Sequence, residues 1–353
     1  MKHKQPVPTW LEKSLLPDGK RMSFASIIHF ASAFNTDEKC LKYLVNLKWG
    51  AKGWQCPKCN NKEYSFISTR YLIKCKRCHY QCSFIADTIM RKTRKPLQLW
   101  FYAIWDISTR KQGISAMELK RQLGLKSYQT AWTWLQKIRM VMVEANRGKL
   151  KREVEVDETY MFTGKKKKKG RGLKGTTKTL IVCAVECVPG RKEGYAASGR
   201  TRMRVINSAN AENLETFVND HVENGATVHT DGWKGYLGLS SIGFHHIPHF
   251  PQTPKDQLLE LPRVHRLFGN LKSWMKHTHK YVSRKHAQNY LNEFIFRFDA
   301  RRDPLGAFNY VLYNAVLVKP RIYSKFVRKG KLRYVNPLSY EAERRKMMRG
   351  IKI

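Results

Sequence analysis

Acidic residues and long apolar runs are both scarce in this chain. The 353 residues include 27 Asp and Glu against 67 Lys and Arg, which leaves a formal net charge of +40. Such a positive excess is larger than solubility requires, and it predicts an extended binding surface for a polyanion with salt-sensitive affinity. No apolar run approaches the roughly 18 residues that a membrane-spanning helix needs. We therefore expect DNA, and not a membrane, as the partner.

A signal-peptide segment is also missing from the start of the sequence, which reads Met1-Lys-His-Lys-Gln-Pro6. This start predicts an intracellular protein. Hydrophobic residues make up 42% of the chain, which indicates packed domains and not a disordered basic tail. The length allows two or three such domains.

Eight cysteines in an intracellular chain argue against a disulfide framework. Four of them form two Cys-x-x-Cys pairs, Cys56 with Cys59 and Cys75 with Cys78, separated by 15 residues. This spacing predicts a closed, structural four-cysteine zinc site. A redox pair or two unrelated thiol pairs are the alternatives, and Cys82 is close enough in sequence to be a spare ligand.

Helical periodicity lies on both sides of the cysteine region. Apolar residues recur at helical spacing over about 25–50 and again from Pro96 onward. A short helix with a Ser-x-x-Glu capping box, Ser115–Leu123, is followed by a tight turn and a longer helix from Tyr128 to about Val143. This outline favours a helix-turn-helix whose second helix enters a major groove. A plain helical hairpin in a core has the same outline.

From about 150 to 300 the pattern changes to alternating strands and helices. It predicts three strands in hairpin order, a helix, a strand, a helix and a fifth strand, followed by two helices. The strands are Glu153–Glu158, Thr179–Glu186, one within Tyr195–Val205, Ala226–Thr230 and Phe244–Phe250; the helices are Ala211–Val222, one around Trp233–Leu239, and about 262–276 and 284–299. This order predicts an α/β fold of the RNase H-like (retroviral-integrase-like) type.

Two aspartates lie at the ends of predicted strands in this segment. Alternation places Asp157 on the same strand face as Glu155, whereas Glu158 points away. Asp231 follows another apolar strand, and the two carboxylates can converge on Mg²⁺ if the strands are adjacent. Two such ions about 4 Å apart activate an attacking oxygen and stabilise a leaving one. The alternatives are a solvent-facing residue for Asp157 and a hairpin turn at Asp231-Gly232.

A histidine and a lysine complete the candidate site. His265 and Lys272 are two helical turns apart, so they project from nearly one side of a helix. Lys272 can hold a DNA phosphate as a point charge. Histidine binds Mn²⁺ better than Mg²⁺, and a bystander histidine on the helix surface is the alternative. In that case Glu260 or Asp256 could be the third ligand.

A glycine-spaced basic run between 164 and 175 is too polar to pack. We expect its Lys168, Lys169, Arg171 and Lys174 to contact the backbone of DNA entering the site, alongside Lys178 and Lys272. Surface flexibility alone would also explain the glycines. The basic tail beyond residue 319 is expected either to lie along phosphates or to be solvated.

Taken together, these motifs resemble the zinc-ribbon DDE-type transposases of prokaryotic insertion sequences. The resemblance covers about residues 25–300 and rests on the order and spacing of weak motifs. These are the cysteine ribbon, Arg94–Phe101, Gly113–Ser115, Val156–Tyr160, Thr230–Gly232, Gly269–Lys272 and Tyr290–Arg297. It implies that Asp157 and Asp231 are the first two metal ligands, that His265 stands where the family usually has Glu, and that Lys272 is the family's lysine.

The resemblance also implies a division of the chain and an activity. The implied parts are an N-terminal helical segment (1–50), a zinc ribbon (51–92), a helix-turn-helix-like region (93–148), an RNase H-like catalytic domain (149–303) and a basic C-terminal extension (304–353). The implied activity is binding of terminal inverted repeats, followed by metal-dependent cleavage and strand transfer into target DNA. A homo-oligomer in the cytoplasm, associated with the nucleoid, is expected.

Two other hypotheses remain open at this point. One is a DNA-binding protein whose catalytic centre has decayed, with His265 as the lesion. The other is a nuclease of the same fold, which would cut DNA without joining it.

Overall fold

The computed structural model describes residues 26–49, 53–86, 88–142, 148–162, 178–190, 196–250, 252–253, 256, 259–280 and 282–317. None of the helices in these ranges is both long and apolar enough to cross a membrane. The chain divides into two compact units, one made of residues 147–299 and the other of 1–146 with 300–353.

Blocks of helices alternate with blocks of strands along the chain. The helices are α1 (Ile27–Ala33), α2 (Asp37–Trp49), α3 (Leu97–Thr109), α4 (Ala116–Gln122), α5 (Tyr128–Val141), α6 (Ala211–His221), α7 (Pro262–Trp274), α8 (Ala287–Asp299) and α9 (Pro304–Leu317). The strands are β1 (Tyr64–Ile67), β2 (Leu72–Cys75), β3 (Gln81–Ser83), β4 (Glu153–Phe162), β5 (Lys178–Pro189), β6 (Ala196–Ile206), β7 (Thr227–Asp231) and β8 (His245–His249).

The unit of residues 147–299 is built on a five-stranded sheet in the order β6-β5-β4-β7-β8. Strands β4, β5 and β6 pair antiparallel, whereas β7 pairs parallel with β4 and β8 pairs parallel with β7. Three antiparallel strands extended by two parallel ones make the RNase H-like arrangement, so the fold predicted from the sequence is confirmed. Strand β4 continues to Phe162, four residues beyond its predicted end.

Apolar cores cover both faces of this sheet, because the inner strands bury side chains on each side. On one face, Val154, Val156 and Val182 pack with α6 residues such as Phe217. On the other face, Ile181 and Cys183 belong to the core that α7 and α8 cover. Asp157 alternates onto the α7 face, so its carboxylate is directed toward a helix and not toward solvent.

The other unit combines helices with a small three-stranded antiparallel sheet in the order β1-β2-β3. Its aromatic core includes Phe30 of α1, Phe34, Phe101 of α3 and Phe308 of α9. Helix α9 is thus buried within this unit, although its residues fall at the start of the segment predicted as a basic extension. The tail beyond it lies outside the described residues.

The four predicted zinc ligands come together at one end of the small sheet. The Sγ atoms of Cys56 and Cys78 are 3.5 Å apart and those of Cys59 and Cys75 are 3.6 Å apart. All four sulfur atoms lie within 4.8 Å of one another. Four thiols at this spacing fit one tetrahedral zinc ion and leave no open position.

Two matching turns produce this geometry. Asn60 and His79 each follow the second cysteine of a pair and have left-handed backbone (φ 58° and 57°). In each turn a backbone N–H returns to the first cysteine of the pair, from Asn60 to the Cys56 carbonyl and from His79 to the Cys75 carbonyl. Burial raises the pKa of Cys75, but backbone N–H groups of Cys78 and Arg77 outweigh it and lower that pKa to about 6, which favours the thiolate.

The two helices of the predicted helix-turn-helix are present as α4 and α5, an arrangement that a plain helical hairpin shares. Ser115 accepts a hydrogen bond from Glu118 N, and Ser127 caps α5 by accepting one from Gln129 N. Helix α5 is buried in its second half, but Tyr128 at its start is 49% exposed. An exposed first turn is what groove insertion requires. DNA contact by α5 remains a prediction.

We predict that native mass spectrometry finds one zinc ion per chain, and that Cys75→Ser loses it because the shell then has three thiolates. Cys82→Ser is the matched control, since Cys82 is the nearby cysteine outside the four-sulfur cluster. Zinc retained by Cys75→Ser, or lost equally by Cys82→Ser, would contradict this assignment of the ligands.

Candidate active site

Parallel pairing of β4 with β7 brings the two predicted aspartates alongside each other. Glu155 pairs with His229 in the register of these strands. Asp157 and Asp231 each lie two residues further on, on the same face as that pair, because side chains alternate with period two. Neighbouring strands are about 4.8 Å apart, so the two carboxylates share one region at the carboxyl end of β7.

The Asp157 carboxylate is buried in this region. The side chain is 5% exposed, and its Oδ1 accepts a hydrogen bond of 2.6 Å from Glu158 N. Burial raises its pKa well above the ordinary value, and the negative charges of Glu158 and Asp231 raise it further. A buried carboxylate with negative neighbours is electrostatically unfavourable unless a proton or a cation joins it.

Asp231 is the last residue of β7, not part of a hairpin turn. Gly232 and Trp233 lead into a 3₁₀ helix, Lys234–Ile242, and the Trp233 N–H donates to Asp231 Oδ1 at 3.2 Å. The hairpin alternative is therefore wrong. Burial raises the pKa of Asp231, while His265 lowers it.

His265 points from α7 toward Asp157. Its Nε2 lies 3.8 Å from Asp157 Oδ2. That Nε2 atom is buried and has no hydrogen-bond partner. Burial lowers the pKa of His265, so the neutral imidazole, the form that binds metals, is favoured.

Lys272 lies two turns further along α7, as predicted. Its Nζ is 5.9 Å from the Phe268 ring centroid and the residue is exposed. Burial of part of the side chain lowers its pKa, and the charge of Asp157 raises it. The ammonium therefore interacts electrostatically with Asp157, and the exposed side chain is accessible to a phosphate.

Glu260 and Asp256, the substitutes for His265, have other contacts. Glu260 Oε2 lies 3.9 Å from His249 Nδ1 and is buried without a hydrogen-bond partner. Asp256 Oδ2 accepts hydrogen bonds from Thr253, at 2.9 Å from N and 2.8 Å from Oγ1. Of these three residues, His265 alone has an observed contact with Asp157 in the described part of the chain.

Glu155 fixes the helix that carries His265, a role that no sequence pattern indicated. Its Oε2 accepts hydrogen bonds from the backbone N–H groups of Arg263 (2.7 Å) and Val264 (2.8 Å). Its Oε1 accepts one of 2.8 Å from Arg263 Nη1. Helix α7 has Leu261 at its N-cap and no capping side chain of its own, so Glu155 supplies the missing acceptor from β4. The strand of Asp157 and the helix of His265 are thereby joined directly.

Glu158 lies on the opposite face, as predicted, but it still acts on the site. Its Oε2 accepts a hydrogen bond of 2.7 Å from the hydroxyl of buried Tyr236. Its charge raises the pKa of Asp157. A second carboxylate behind the strand therefore strengthens the negative potential at Asp157, which favours a bound cation.

The donor chemistry of Asp157, Asp231 and His265 fits divalent cations. Two carboxylates and a neutral imidazole suit Mn²⁺ and Mg²⁺, and the partnerless Nε2 of His265 is a donor atom that a cation would satisfy. Within the described residues, only the four cysteines bring three or more donor atoms within 4.8 Å of one another. The active-site donors are therefore spread more widely than those of the closed zinc site.

The predicted DNA contacts from the basic run, Lys168, Lys169, Arg171 and Lys174, lie outside the described residues. Lys178 begins β5, and its Nζ is 5.7 Å from the ring centroid of Tyr160 on β4. Lys178 and Lys272 both remain predicted DNA contacts.

Two family models match the chain. The ISXO2-like transposase domain matches residues 149–299, and the transposase zinc-ribbon domain matches residues 35–81. Together they cover more than half of the sequence, in the order expected from the motifs. The chain belongs to the zinc-ribbon transposases of insertion sequences. A search of curated proteins gave no significant match.

Two solved structures are weakly similar to this chain. "Mos1 transposase paired-end complex with left transposon end" matches with 13% identity and a TM-score of 0.29, over 60% of this chain and 74% of that chain. "Crystal structure of a pre-cleavage Mos1 transpososome" matches with 13% identity and a TM-score of 0.27, over 61% and 78%. Scores this low carry no argument about the site.

We predict that Glu155→Ala destabilises the 147–299 unit by about 3 kcal/mol, because it leaves Arg263 and two helix N–H groups without their buried acceptor. Denaturant unfolding measures the change. The control is Glu153→Ala, which removes an exposed carboxylate from the same face of the same strand and should change stability by less than about 0.5 kcal/mol. Equal losses in the two variants would show that the Glu155 contact is not the cause.

Proposed function

We propose that this chain cleaves DNA at the ends of an insertion sequence and joins the freed ends to target DNA. Asp157, Asp231 and His265 are the proposed ligands of two Mg²⁺ or Mn²⁺ ions. Lys272 is the proposed contact to a DNA phosphate. One observation carries the proposal. Buried Asp157 lies close to a second carboxylate, that of Asp231, and to the Nε2 atom of His265, which has no hydrogen-bond partner.

Divalent cations held by these residues would supply charge for both the attacking and the leaving oxygen of a phosphodiester. The protein's own part is to orient the proposed cation ligands and the DNA phosphate. The bonds from Glu155 fix His265 relative to Asp157, and the exposed Lys272 holds a phosphate. In the first reaction water attacks phosphorus and the P–O3′ bond breaks, which leaves a 3′-hydroxyl on one side and a 5′-phosphate on the other. In the second reaction that hydroxyl attacks a target phosphodiester, and the target's own 3′-oxygen leaves as a hydroxyl. Both are displacements at phosphorus, so no covalent protein–DNA intermediate is needed.

The proposed partners follow from the family and the charge. The net charge of +40 supports a DNA partner, through the ribbon, α5 and the basic segments. By analogy with the family we propose binding to the element's terminal repeats, a homo-oligomer that holds two ends, and location at the nucleoid in the cytoplasm.

An intact arrangement around His265 supports an active enzyme over a decayed one. A decayed site would have no reason to keep a buried, partnerless imidazole nitrogen 3.8 Å from a buried carboxylate. The arrangement does not by itself separate a transposase from a nuclease, but the zinc-ribbon and transposase domain matches favour the transposase.

We predict that Asp157→Asn folds, keeps its zinc and binds DNA, but loses end cleavage and joining by at least about a thousandfold. Removing a cation ligand costs several kcal/mol of transition-state stabilisation. Glu212→Gln, an exposed carboxylate of the same unit, is the control and should keep full activity. Cleavage and joining are measured on a labelled duplex that carries the element's terminal repeats.

Three outcomes of that assay would contradict the proposal in different ways. Normal strand transfer by Asp157→Asn would remove Asp157 from the active site. Cleavage without joining by the wild-type protein would indicate a nuclease. Specific binding without cleavage in Mg²⁺ or Mn²⁺ would indicate a DNA-binding protein alone.

We predict that Mn²⁺ stabilises the zinc-loaded protein more at pH 8 than at pH 5.5. Burial raises the pKa values of Asp157 and Asp231, and the charges of Glu158 and Asp231 raise that of Asp157 further, so these two carboxylates bind more protons in the folded, cation-free protein than in the unfolded chain. The contribution of these two carboxylates to stability therefore falls as pH rises from about 4 through those raised values. Cations bind the deprotonated carboxylates and offset this loss at high pH.

Thermal unfolding with and without Mn²⁺ measures this effect. At a hundredfold excess over Kd the stabilisation is about 2.7 kcal/mol, or roughly 5–10 °C for a unit of this size. The double variant Asp157→Asn, Asp231→Asn should show no Mn²⁺ shift at either pH. An equal shift at both pH values, or a shift that persists in the double variant, would place the cation elsewhere.

A further inference from the structure

A cationic cleft lies in the unit that contains the ribbon. It is open to solvent, has a volume of about 480 Å³, and lies between the end of β1, the end of β3 and the segment before α3. Four of its lining side chains are positively charged: Arg70, Arg91, Lys92 and Arg94. None of its lining residues is acidic. The cleft is a feature of one unit and shares no residue with the candidate active site.

The charges of the cleft are not neutralised within the described part of the chain. No ion pair to a carboxylate is found there for any of the four cations. Asp37 lies behind Tyr71 and not in the lining, and its oxygens accept hydrogen bonds from the Tyr71 hydroxyl (2.8 Å) and from Gln98 N (3.4 Å). Like charges gathered in one cleft repel one another, and a bound polyanion would relieve that repulsion.

Both walls of the cleft are held in place by hydrogen bonds. On the ribbon side, the Tyr71 hydroxyl donates its single proton to Asp37 at 2.8 Å and also lies 3.2 Å from the Lys95 carbonyl oxygen, which places the turn after β1 against the segment before α3. On the other side, Thr93 Oγ1 accepts hydrogen bonds from Trp100 Nε1 (3.1 Å) and Lys95 N (3.2 Å). Tyr71 and Lys92, one in each of these two segments, both adopt left-handed backbone (φ 51° and 60°).

The chemistry of the lining suits phosphate oxygens. Three of the cations are arginines, whose planar guanidinium groups can bind a phosphate with two parallel hydrogen bonds. Ser83 and Thr69 add hydroxyl donors at the rim. An open cleft with these donors fits consecutive phosphates of a passing strand better than an enclosed small molecule, and such contacts carry no base information.

We propose that this cleft binds the phosphate backbone of duplex DNA independently of sequence. This proposal rests on the proposed function, because it is the proposed function that identifies the polyanion as DNA. It adds a DNA contact to those proposed for the ribbon and α5 of the same unit, at the opposite end of β2 from the cysteine cluster.

The test is the salt dependence of DNA binding by the full-length, zinc-loaded protein. For the double variant Arg91→Ala, Arg94→Ala we expect the slope of log K against log [salt] to become shallower by about 2, since each lost phosphate contact removes about 0.9. The loss should be the same on a terminal-repeat duplex and on a random duplex. Lys42→Ala is the control, because it removes a charge that Glu38 already neutralises at 2.9 Å, and its slope should not change.

Zinc content and thermal unfolding verify that the variants fold. Should the double alanine variant fail to fold, Arg91→Gln, Arg94→Gln replaces it, and Arg91→Lys, Arg94→Lys should retain the wild-type slope. If a folded alanine or glutamine double variant has the wild-type slope of log K against log [salt], the cleft proposal is overturned. The proposed function is not affected by that result. A loss confined to the terminal-repeat duplex would also overturn it, since that is base recognition. DNA binding that follows these slopes without any strand transfer would overturn the proposed function alone.

Discussion

The parallel pairing of β4 with β7 is the constraint on which the candidate site depends. Pairing of Glu155 with His229 sets the register, and two residues further along both strands it sets Asp157 beside Asp231. A shift of one residue in either strand would turn one of these carboxylates to the opposite face, into the apolar core against α6. The buried valines at 154, 156 and 228 oppose such a shift, because it would exchange them with polar or charged neighbours. Core packing and site assembly are therefore specified by the same residues.

Helix α7 completes the site through one buried carboxylate. Glu155 belongs to β4 but caps α7, so hydrogen bonds to the helix backbone set the distance between Asp157 and His265. Burial then shifts the protonation equilibria of Asp157 and His265. It raises the pKa of Asp157 and lowers that of His265, which disfavours the charged form of each and leaves a region where a divalent cation is the natural partner. Lys272, exposed on the same helix, adds the only positive charge predicted for the site itself.

Local patterns predicted most of the elements and the residues that come together in the candidate site. Alternation in β4 was sufficient to choose Asp157 over Glu158, and the seven-residue spacing was sufficient to place His265 and Lys272 on one helix. The roles of Glu155 and Tyr236 could not be predicted, because each depends on a partner about 80 or more residues away that only the folded sheet brings close. Helix α9 was missed for a similar reason: its apolar residues directly precede a basic tail, and its partners Phe30 and Phe101 are distant in sequence. The cationic cleft combines a ribbon turn with the segment before α3, so it too has no continuous sequence pattern.

Anomalous diffraction from crystals soaked in Mn²⁺ would decide whether the two carboxylates form a cation site, because it locates the metal without reference to activity. We expect manganese peaks between the carboxylates of Asp157 and Asp231, with one ion bound by Nε2 of His265. Manganese bound only at other residues, or an ordered site in which Asp157 and Asp231 hold no cation at saturating Mn²⁺, would contradict this assignment.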